Sequence, residues 1–174
     1  MGGFFIWMRY TGFMRLTNTS RFIIAVTLSE LAGIIGSVFT MSQIPTWYVG
    51  LMKPALNPPS WVFGPVWTIL YFMMGVAAFL VWRRGGDRIQ VRQALVIFGI
   101  QLVLNTLWSI IFFNAHQLLF ALIWIVLLLL AIVWTIVVFA RISRPAASLL
   151  VPYLAWVSFA TYLNGALYWL NRGI

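Results

Sequence analysis

Aromatic and amide side chains recur at helical spacing in three apolar segments of the sequence. Gln101, Asn105 and Trp108 are separated by four and three positions, which places them on one face of a helix. The same spacing recurs in two further segments: Trp67, Tyr71 and Met74; and Trp156, Ala160 and Leu163, with Asn164 adjacent. Such faces could line a pocket for a flat, apolar ligand with polar edges. They could equally form a packed core joined by a few interhelical hydrogen bonds.

Few side chains in this chain can act as acids, bases or metal ligands. Cysteine is absent, which excludes disulfides, thiolate metal sites and thiol nucleophiles. The remaining candidates are one histidine, His116, and two acids, Glu30 and Asp87. This inventory argues against paired-carboxylate hydrolysis, a Ser-His-Asp triad and a metal site of His and carboxylate ligands. We therefore predict no metal site and no required cofactor.

The stretch "WYVGLMKPALNPPSWVFGPVW", from Trp47 to Trp67, holds four prolines and three tryptophans between two apolar runs. Prolines fix φ and restrict the residue before them, so this connection is much stiffer than a Gly/Ser linker. An aromatic belt at the membrane interface explains Trp61, but Trp67 lies about 9 Å deeper along a helix. We therefore predict a rigid aromatic lid loop, residues 45–60, over the ends of the helices, stiffened by Pro54, Pro58 and Pro59.

Composition identifies the solvent of this protein as lipid. Of 174 residues, 63% are hydrophobic and 7% are charged, whereas a soluble domain carries about 25% charged residues. Five apolar runs can each span about 30 Å of hydrocarbon, and an open sheet cannot satisfy its backbone there. The sequence predicts an all-α integral membrane protein, a bundle of five transmembrane helices near 22–44, 61–82, 93–113, 118–140 and 146–170.

The basic residues predict the orientation of the bundle. By the positive-inside rule, the side that carries most of the Lys and Arg residues is cytoplasmic. The N-terminus is then cytoplasmic, the C-terminus is outside, and the lid loop faces outward. The net charge of +9 is thus explained by the excess of basic residues on the cytoplasmic side, and no nucleic-acid partner is predicted. Residues 1–21 are interpreted as a basic cytoplasmic arm and residues 22–174 as the transmembrane domain. Nine of the eleven basic residues share the cytoplasmic side: Arg9, Arg15 and Arg21; Arg83, Arg84, Arg88 and Arg92; Arg141 and Arg144.

The first predicted helix contains a single acid and two rows of small residues. Small side chains at a spacing of four let helices approach closely, either inside one protomer or across a dimer seam. Glu30 is the only acid inside a span, and either a structural or interfacial role or a proton-relay role stays open. The rows are Ala25, Ser29, Gly33 and Ser37, and Ala32, Gly36 and Thr40.

Three stretches together resemble the TspO/MBR family, the tryptophan-rich sensory proteins that include the mitochondrial translocator protein (peripheral benzodiazepine receptor). They are "WYVGLMKPALNPPSWVFGPVWTILY", "QLVLNTLWSIIFF" and "VPYLAWVSFATYLN", in this order. The resemblance implies a bundle of five transmembrane helices, usually a homodimer. It also implies that the first loop closes over a pocket for porphyrins, haem-like tetrapyrroles, sterols and synthetic benzodiazepine-type ligands.

The resemblance assigns roles to individual residues. Trp67 and Trp156 match positions implicated in light-dependent porphyrin breakdown by bacterial relatives. Leu56 stands where many relatives have Trp in "KPxWxPP", which implies weaker stacking on a planar ligand. The sterol pattern L/V-x(1–5)-Y-x(1–5)-K/R is matched by Leu163, Tyr168 and Arg172, although this pattern is weak. The pocket residues that the resemblance implies are Trp47, Tyr48, Trp67, Asn105, Trp108, Trp156, Ala160 and Leu163.

Three functions fit these features. The first is a receptor or sensor in a bacterial cytoplasmic membrane that binds protoporphyrin IX or a haem-like tetrapyrrole and regulates or carries it. The second is a tetrapyrrole or sterol transporter, although no internal repeat or proton relay is visible. The third is an enzyme-like activity in which a tryptophan donates an electron or hydrogen to a photoexcited porphyrin in the presence of oxygen.

Overall fold

The protein is a helical bundle in the computed structural model, which describes residues 16–85 and 88–173. These residues contain helices and no strand. Five helical segments of the described chain are long and apolar enough to cross a membrane, so the predicted all-α five-span bundle is confirmed. Residues 1–15 of the predicted arm, with Arg9 and Arg15, lie outside the described residues, as does Asp87. The helices are α1 (Asn18–Met41), α2 (Phe63–Trp82), α3 (Ile89–Ser109), α4 (Leu118–Ile142), α5 (Arg144–Leu149) and α6 (Val151–Asn171).

Local sequence explains where these helices begin and break. The Thr17 side chain accepts a hydrogen bond from the Ser20 backbone N–H at 3.1 Å, a typical N-cap, so α1 begins at Asn18 rather than at the predicted Phe22. A 3₁₀ turn, Ser60–Val62, leads into α2. The fifth span is divided at Leu150, because Pro152 in the first turn of α6 cannot continue the hydrogen bonding of α5.

Small residues let α1 lie against its neighbours. A Cβ built on Gly75 of α2 would lie 2.6 Å from the Cα of Val26, so the backbones of α1 and α2 touch at this point. A Cβ on Gly33 would overlap the Tyr71 ring, and one on Gly36 would lie 3.1 Å from the Ser109 hydroxyl of α3. Gly33 and Gly36 of α1 therefore serve packing inside one protomer.

The two ends of the bundle differ in charge and in structure. The loop end carries the lid loop, the turn between α3 and α4, and the last residues of α6. The opposite end, here called the arginine end, carries the basic helix termini, and the Arg21 guanidinium lies there 5.9 Å above the Trp82 ring. The side of the membrane that each end faces stays a prediction. The arginine end contains Arg83, Arg84, Arg88, Arg92, Arg141 and Arg144.

Candidate ligand-binding cavity

A cavity of about 390 Å³ lies in the loop-end half of the bundle. Its walls come from α1, α2, the end of α3 and α6, and Tyr48 of the lid loop covers it. This volume falls in the range of small-molecule sites, which are mostly apolar with a few placed polar groups. The residues that line the cavity include Glu30, Gly33, Ile34, Ser37, Thr40, Met41, Tyr48, Trp61, Phe63, Trp67, Thr68, Tyr71, Trp108, Ser109, Phe112, Phe113, Trp156, Ala160, Leu163, Asn164 and Leu167.

Aromatic rings make up much of the wall. Trp67 stacks on Tyr71 with ring centroids 5.5 Å apart and planes 29° apart. Trp108 stacks on Phe112 at 5.1 Å and 28°. The Phe63 ring meets Trp156 edge-on at 5.9 Å. Stacked and edge-on pairs fix each ring in place, so the wall presents flat, preorganised surfaces to an occupant.

The structure brings together six of the eight residues predicted to bind a ligand. Two of the predicted residues, Trp47 and Asn105, do not line the cavity. Each of the three helix faces that share the spacing contributes to the wall, but Gln101, Asn105 and Met74 of those faces do not line the cavity. The six are Tyr48, Trp67, Trp108, Trp156, Ala160 and Leu163.

Asn105 lies behind the wall, 1% exposed, in a buried hydrogen-bond chain. Its Oδ1 accepts a hydrogen bond from the Tyr71 hydroxyl at 2.7 Å, and its Nδ2 donates to the Tyr153 hydroxyl at 2.7 Å. The Tyr153 hydroxyl donates in turn to Gln101 Oε1 at 2.9 Å. Asn105 thus orients Tyr71, the partner of Trp67, and its amide is fully engaged with protein groups.

Trp47 fastens the lid loop to the turn after α3. Its ring stacks on His116 at 4.3 Å and 17°, and the His116 Nε2 lies 3.0 Å from Gln43 Oε1. His116 has φ 56°, in the left-handed region, which directs the chain from α3 into α4. This contact accounts for Trp47 without any ligand.

A single π-helical turn, Ile110–Asn114, extends α3 at the loop end. Such turns add a residue to the helical repeat and often occur at functional sites. Here the turn lets both Phe112 and Phe113 contact Tyr48, with ring centroids 6.4 Å and 5.9 Å away. Helical spacing does not indicate Phe113, because a regular helix would turn its side chain away from that of Phe112.

The lid loop is held at both its middle and its start. The Asn171 side chain of α6 makes two hydrogen bonds to the main chain of Met52, both at 2.9 Å. Its Oδ1 accepts from the Met52 N–H, and its Nδ2 donates to the Met52 carbonyl oxygen. The Tyr48 hydroxyl donates to Asn57 Oδ1 at 2.7 Å. Burial raises the pKa of Tyr48, and the Asn57 hydrogen bond lowers it in part, so the hydroxyl stays a donor at neutral pH. Leu56 is 66% exposed and does not line the cavity.

Replacing Asn171 with Ala is expected to loosen the lid loop. The change removes both hydrogen bonds to Met52, and we expect a cavity-bound ligand to leave about tenfold faster, the effect of about 1.4 kcal/mol for two hydrogen bonds. Stopped-flow dilution of a bound fluorescent ligand measures this rate. The matched control is Asn114→Ala, an exposed amide of the π turn, which should leave the rate unchanged. An equal rate in Asn171→Ala and wild type would show that the clamp does not hold the loop.

The cavity is not closed between α1 and α2. Ile34 and Met41 of α1 line it while 55% and 71% exposed, and Trp61 beside α2 lines it while 74% exposed. Exposed side chains of membrane-spanning helices face lipid. The loop-end half of the cavity is therefore open sideways to the bilayer.

The helix α1 supplies wall residues that the sequence analysis did not predict. Glu30, Ser37 and Thr40 line the cavity, and Gly33 leaves room beside the Tyr71 ring. The rows of small residues in α1 could have indicated this wall, because small side chains leave space beside a helix as well as permitting close contact. The rows therefore mark cavity wall as well as helix packing.

The weak sterol pattern does not form one surface. Leu163 is buried in the cavity wall, whereas the Arg172 guanidinium lies 3.4 Å from the centroid of the exposed Trp169 ring at the end of α6. Tyr168 is half-buried between them along the helix. Within the described residues, no three His, Asp or Glu side chains come together as a metal site.

These features define a multi-pass integral membrane protein with an aromatic cavity beneath a fastened loop. Residues 25–170 match the model of the TspO/MBR family, and the chain belongs to this family. It is 47% identical to the tryptophan-rich protein TspO of Chlorobaculum tepidum over 148 residues, 85% of this chain and 94% of that one. It is 42% identical to the human translocator protein over 147 residues, 83% and 86% of the two chains. It is 41% identical to the tryptophan-rich sensory protein of Cereibacter sphaeroides over 118 residues, 68% and 72% of the two chains.

Proposed function

We propose that this protein is a membrane receptor that binds tetrapyrroles, such as protoporphyrin IX, and related flat hydrophobic ligands in the aromatic cavity. The observation that carries the proposal is the wall of stacked rings, with Trp67, Trp108 and Trp156 around one space covered by Tyr48. A planar ligand gains stacking on such rings and burial of apolar surface without reorganising the wall. Occupancy regulates a partner or holds the ligand for transfer, and no cofactor is required.

The names of two relatives support the proposal. One is named a tryptophan-rich sensory protein and another a translocator protein. Both names fit a protein that recognises a small molecule in the membrane rather than one that transforms it with acids and bases. The homodimer implied by the family resemblance is part of the proposal.

The experiment is a titration of the purified protein with protoporphyrin IX in the dark, followed by porphyrin absorbance. We expect saturable binding, and we expect Trp67→Ala to weaken it at least tenfold because the change removes a stacking face worth about 1.5 kcal/mol or more. The matched control is Trp134→Ala, because Trp134 of α4 is exposed and does not line the cavity. Equal losses in both variants, or no saturation in wild type, would contradict the proposal.

A carrier is the second candidate, and the open side between α1 and α2 favours it. A ligand can pass between that opening and the bilayer without unfolding the lid loop. Sealed vesicles loaded with porphyrin distinguish this function, because a carrier raises the flux above that of protein-free vesicles. A saturably binding protein with flat flux traces would be a receptor only.

Light-driven porphyrin breakdown is the third candidate, because Trp67 and Trp156 both line the cavity. The same titration, continued under light in the presence of oxygen, tests it. Wild type should then lose the porphyrin absorption band under light. If Trp156→Phe keeps the band while it still binds porphyrin in the dark, the tryptophan reacts. A stable band in wild type would leave binding as the function.

A further inference from the structure

Glu30 is the one acidic side chain of the cavity wall, and the proposed function does not use it. It lies about halfway along α1 and is the only Asp or Glu among residues 16–85 and 88–173. An ionised carboxylate at this depth in a membrane is costly unless a partner offsets it, so intramembrane acids usually mark a site.

Five donors that share the wall with Glu30 are engaged elsewhere. The hydroxyls of Ser37, Thr40 and Thr68 donate to the main-chain carbonyls of Ile34, Gly36 and Gly64. The Tyr71 hydroxyl donates to Asn105 and the Trp108 indole N–H donates to Asn164. None of these five donors satisfies the Glu30 carboxyl group, and the described residues form no side-chain hydrogen bond with it.

The rings around this space add a second attraction for positive charge. Trp67, Tyr71 and Trp108 line the same cavity as Glu30. The faces of aromatic rings attract cations, most strongly where water is excluded, and a carboxylate beside such rings is a common recognition site for an ammonium group. A carboxylate ligand, by contrast, meets repulsion at Glu30.

We propose that the cavity selects ligands that combine a flat apolar body with one protonated amine. The ammonium group pairs with the Glu30 carboxylate while the body packs between the rings of α2, α3 and α6. This inference rests on the proposed function, since it concerns the same cavity. For a tetrapyrrole, it means that the acidic side chains turn away from Glu30.

A matched pair of fluorescent probes tests the inference: anthracenemethylamine, which is cationic at neutral pH, and anthracenemethanol, its neutral counterpart. Both are titrated into wild type and Glu30→Gln in the same uncharged detergent. We expect wild type to bind the amine about tenfold more tightly than the alcohol. In Glu30→Gln the amine should lose about tenfold in affinity while the alcohol changes less than twofold.

Two further variants control for a merely structural role of Glu30. Glu30→Asp retains the carboxylate and should keep part of the preference for the amine. Thr27→Asn introduces an amide on the exposed side of α1, outside the cavity, and should change neither affinity. A preference unchanged in Glu30→Gln, or equal losses for both probes, would overturn the inference. If wild type binds neither probe nor protoporphyrin IX, the proposed function itself fails; if protoporphyrin IX and the alcohol bind without a preference for the amine, only this inference fails.

Discussion

Gly75→Ala is expected to destabilise the protein by about 3 kcal/mol, the upper range for overpacking a tight contact. A Cβ at this position would lie 2.6 Å from the Cα of Val26 and 3.1 Å from the carbonyl oxygen of Ala25. Backbone atoms cannot rotate out of the way as a side chain can, so α1 must move off α2. Thermal unfolding in detergent and the yield of monodisperse protein measure the effect.

The control is a second glycine inside a helix. A Cβ built on Gly99 of α3 would meet no atom within 4 Å. Gly99→Ala should therefore leave stability unchanged or raise it by up to about 1 kcal/mol, since alanine restricts the unfolded chain and favours helix. Similar unfolding temperatures for the two variants would show that the α1–α2 contact is not tight.

Asn105→Leu is expected to cost about 2 kcal/mol of stability and to weaken ligand binding several-fold. The Tyr71 hydroxyl loses its acceptor and the Tyr153 hydroxyl loses a donor, both in the buried interior, and an unpaired buried polar group costs about 1–3 kcal/mol. Tyr71 is then free to leave its stacked position on Trp67. Unfolding in detergent gives the first effect and the porphyrin titration gives the second.

Two variants define what Asn105 does. Tyr71→Phe added to Asn105→Leu removes both members of one hydrogen bond, and it should recover part of the lost stability because the unpaired hydroxyl is gone. Gln90→Leu removes an exposed amide of the same helix and should leave both measurements unchanged. If Asn105→Leu lowers affinity while unfolding is unchanged, Asn105 contacts the ligand directly, as the family resemblance implies.

Asn105 and Trp108 show what helical periodicity can predict about a binding site and what it cannot. Periodicity places side chains on one face of α3, but a face can border a cavity at one turn and a packed core at the next. Trp108 lies nearer the loop end and lines the cavity. Asn105 lies one turn deeper, where neighbouring helices close over it. The depth of that closure depends on backbone contacts such as Gly75 against Val26, which no single segment reveals.

The lid loop shows a second limit of the sequence. The prolines correctly excluded a continuous helix from Trp47 to Ser60. They did not reveal that the loop is fastened by Asn171, since that contact joins positions 119 residues apart. Similarly, adjacent residues Trp47 and Tyr48 have different roles because a 3₁₀ turn, Tyr48–Gly50, directs one toward His116 and the other over the cavity.

The opening between α1 and α2 changes what an affinity for this protein means. A ligand that enters from the bilayer is drawn from a lipid reservoir, where a hydrophobic molecule is concentrated far above its level in water. Half-saturation is then a mole fraction in the lipid or detergent phase, and the apparent constant in water rises in proportion to the amount of that phase. Two laboratories that use the same protein with different amounts of detergent will therefore measure different constants, and the two agree only after conversion to mole fraction.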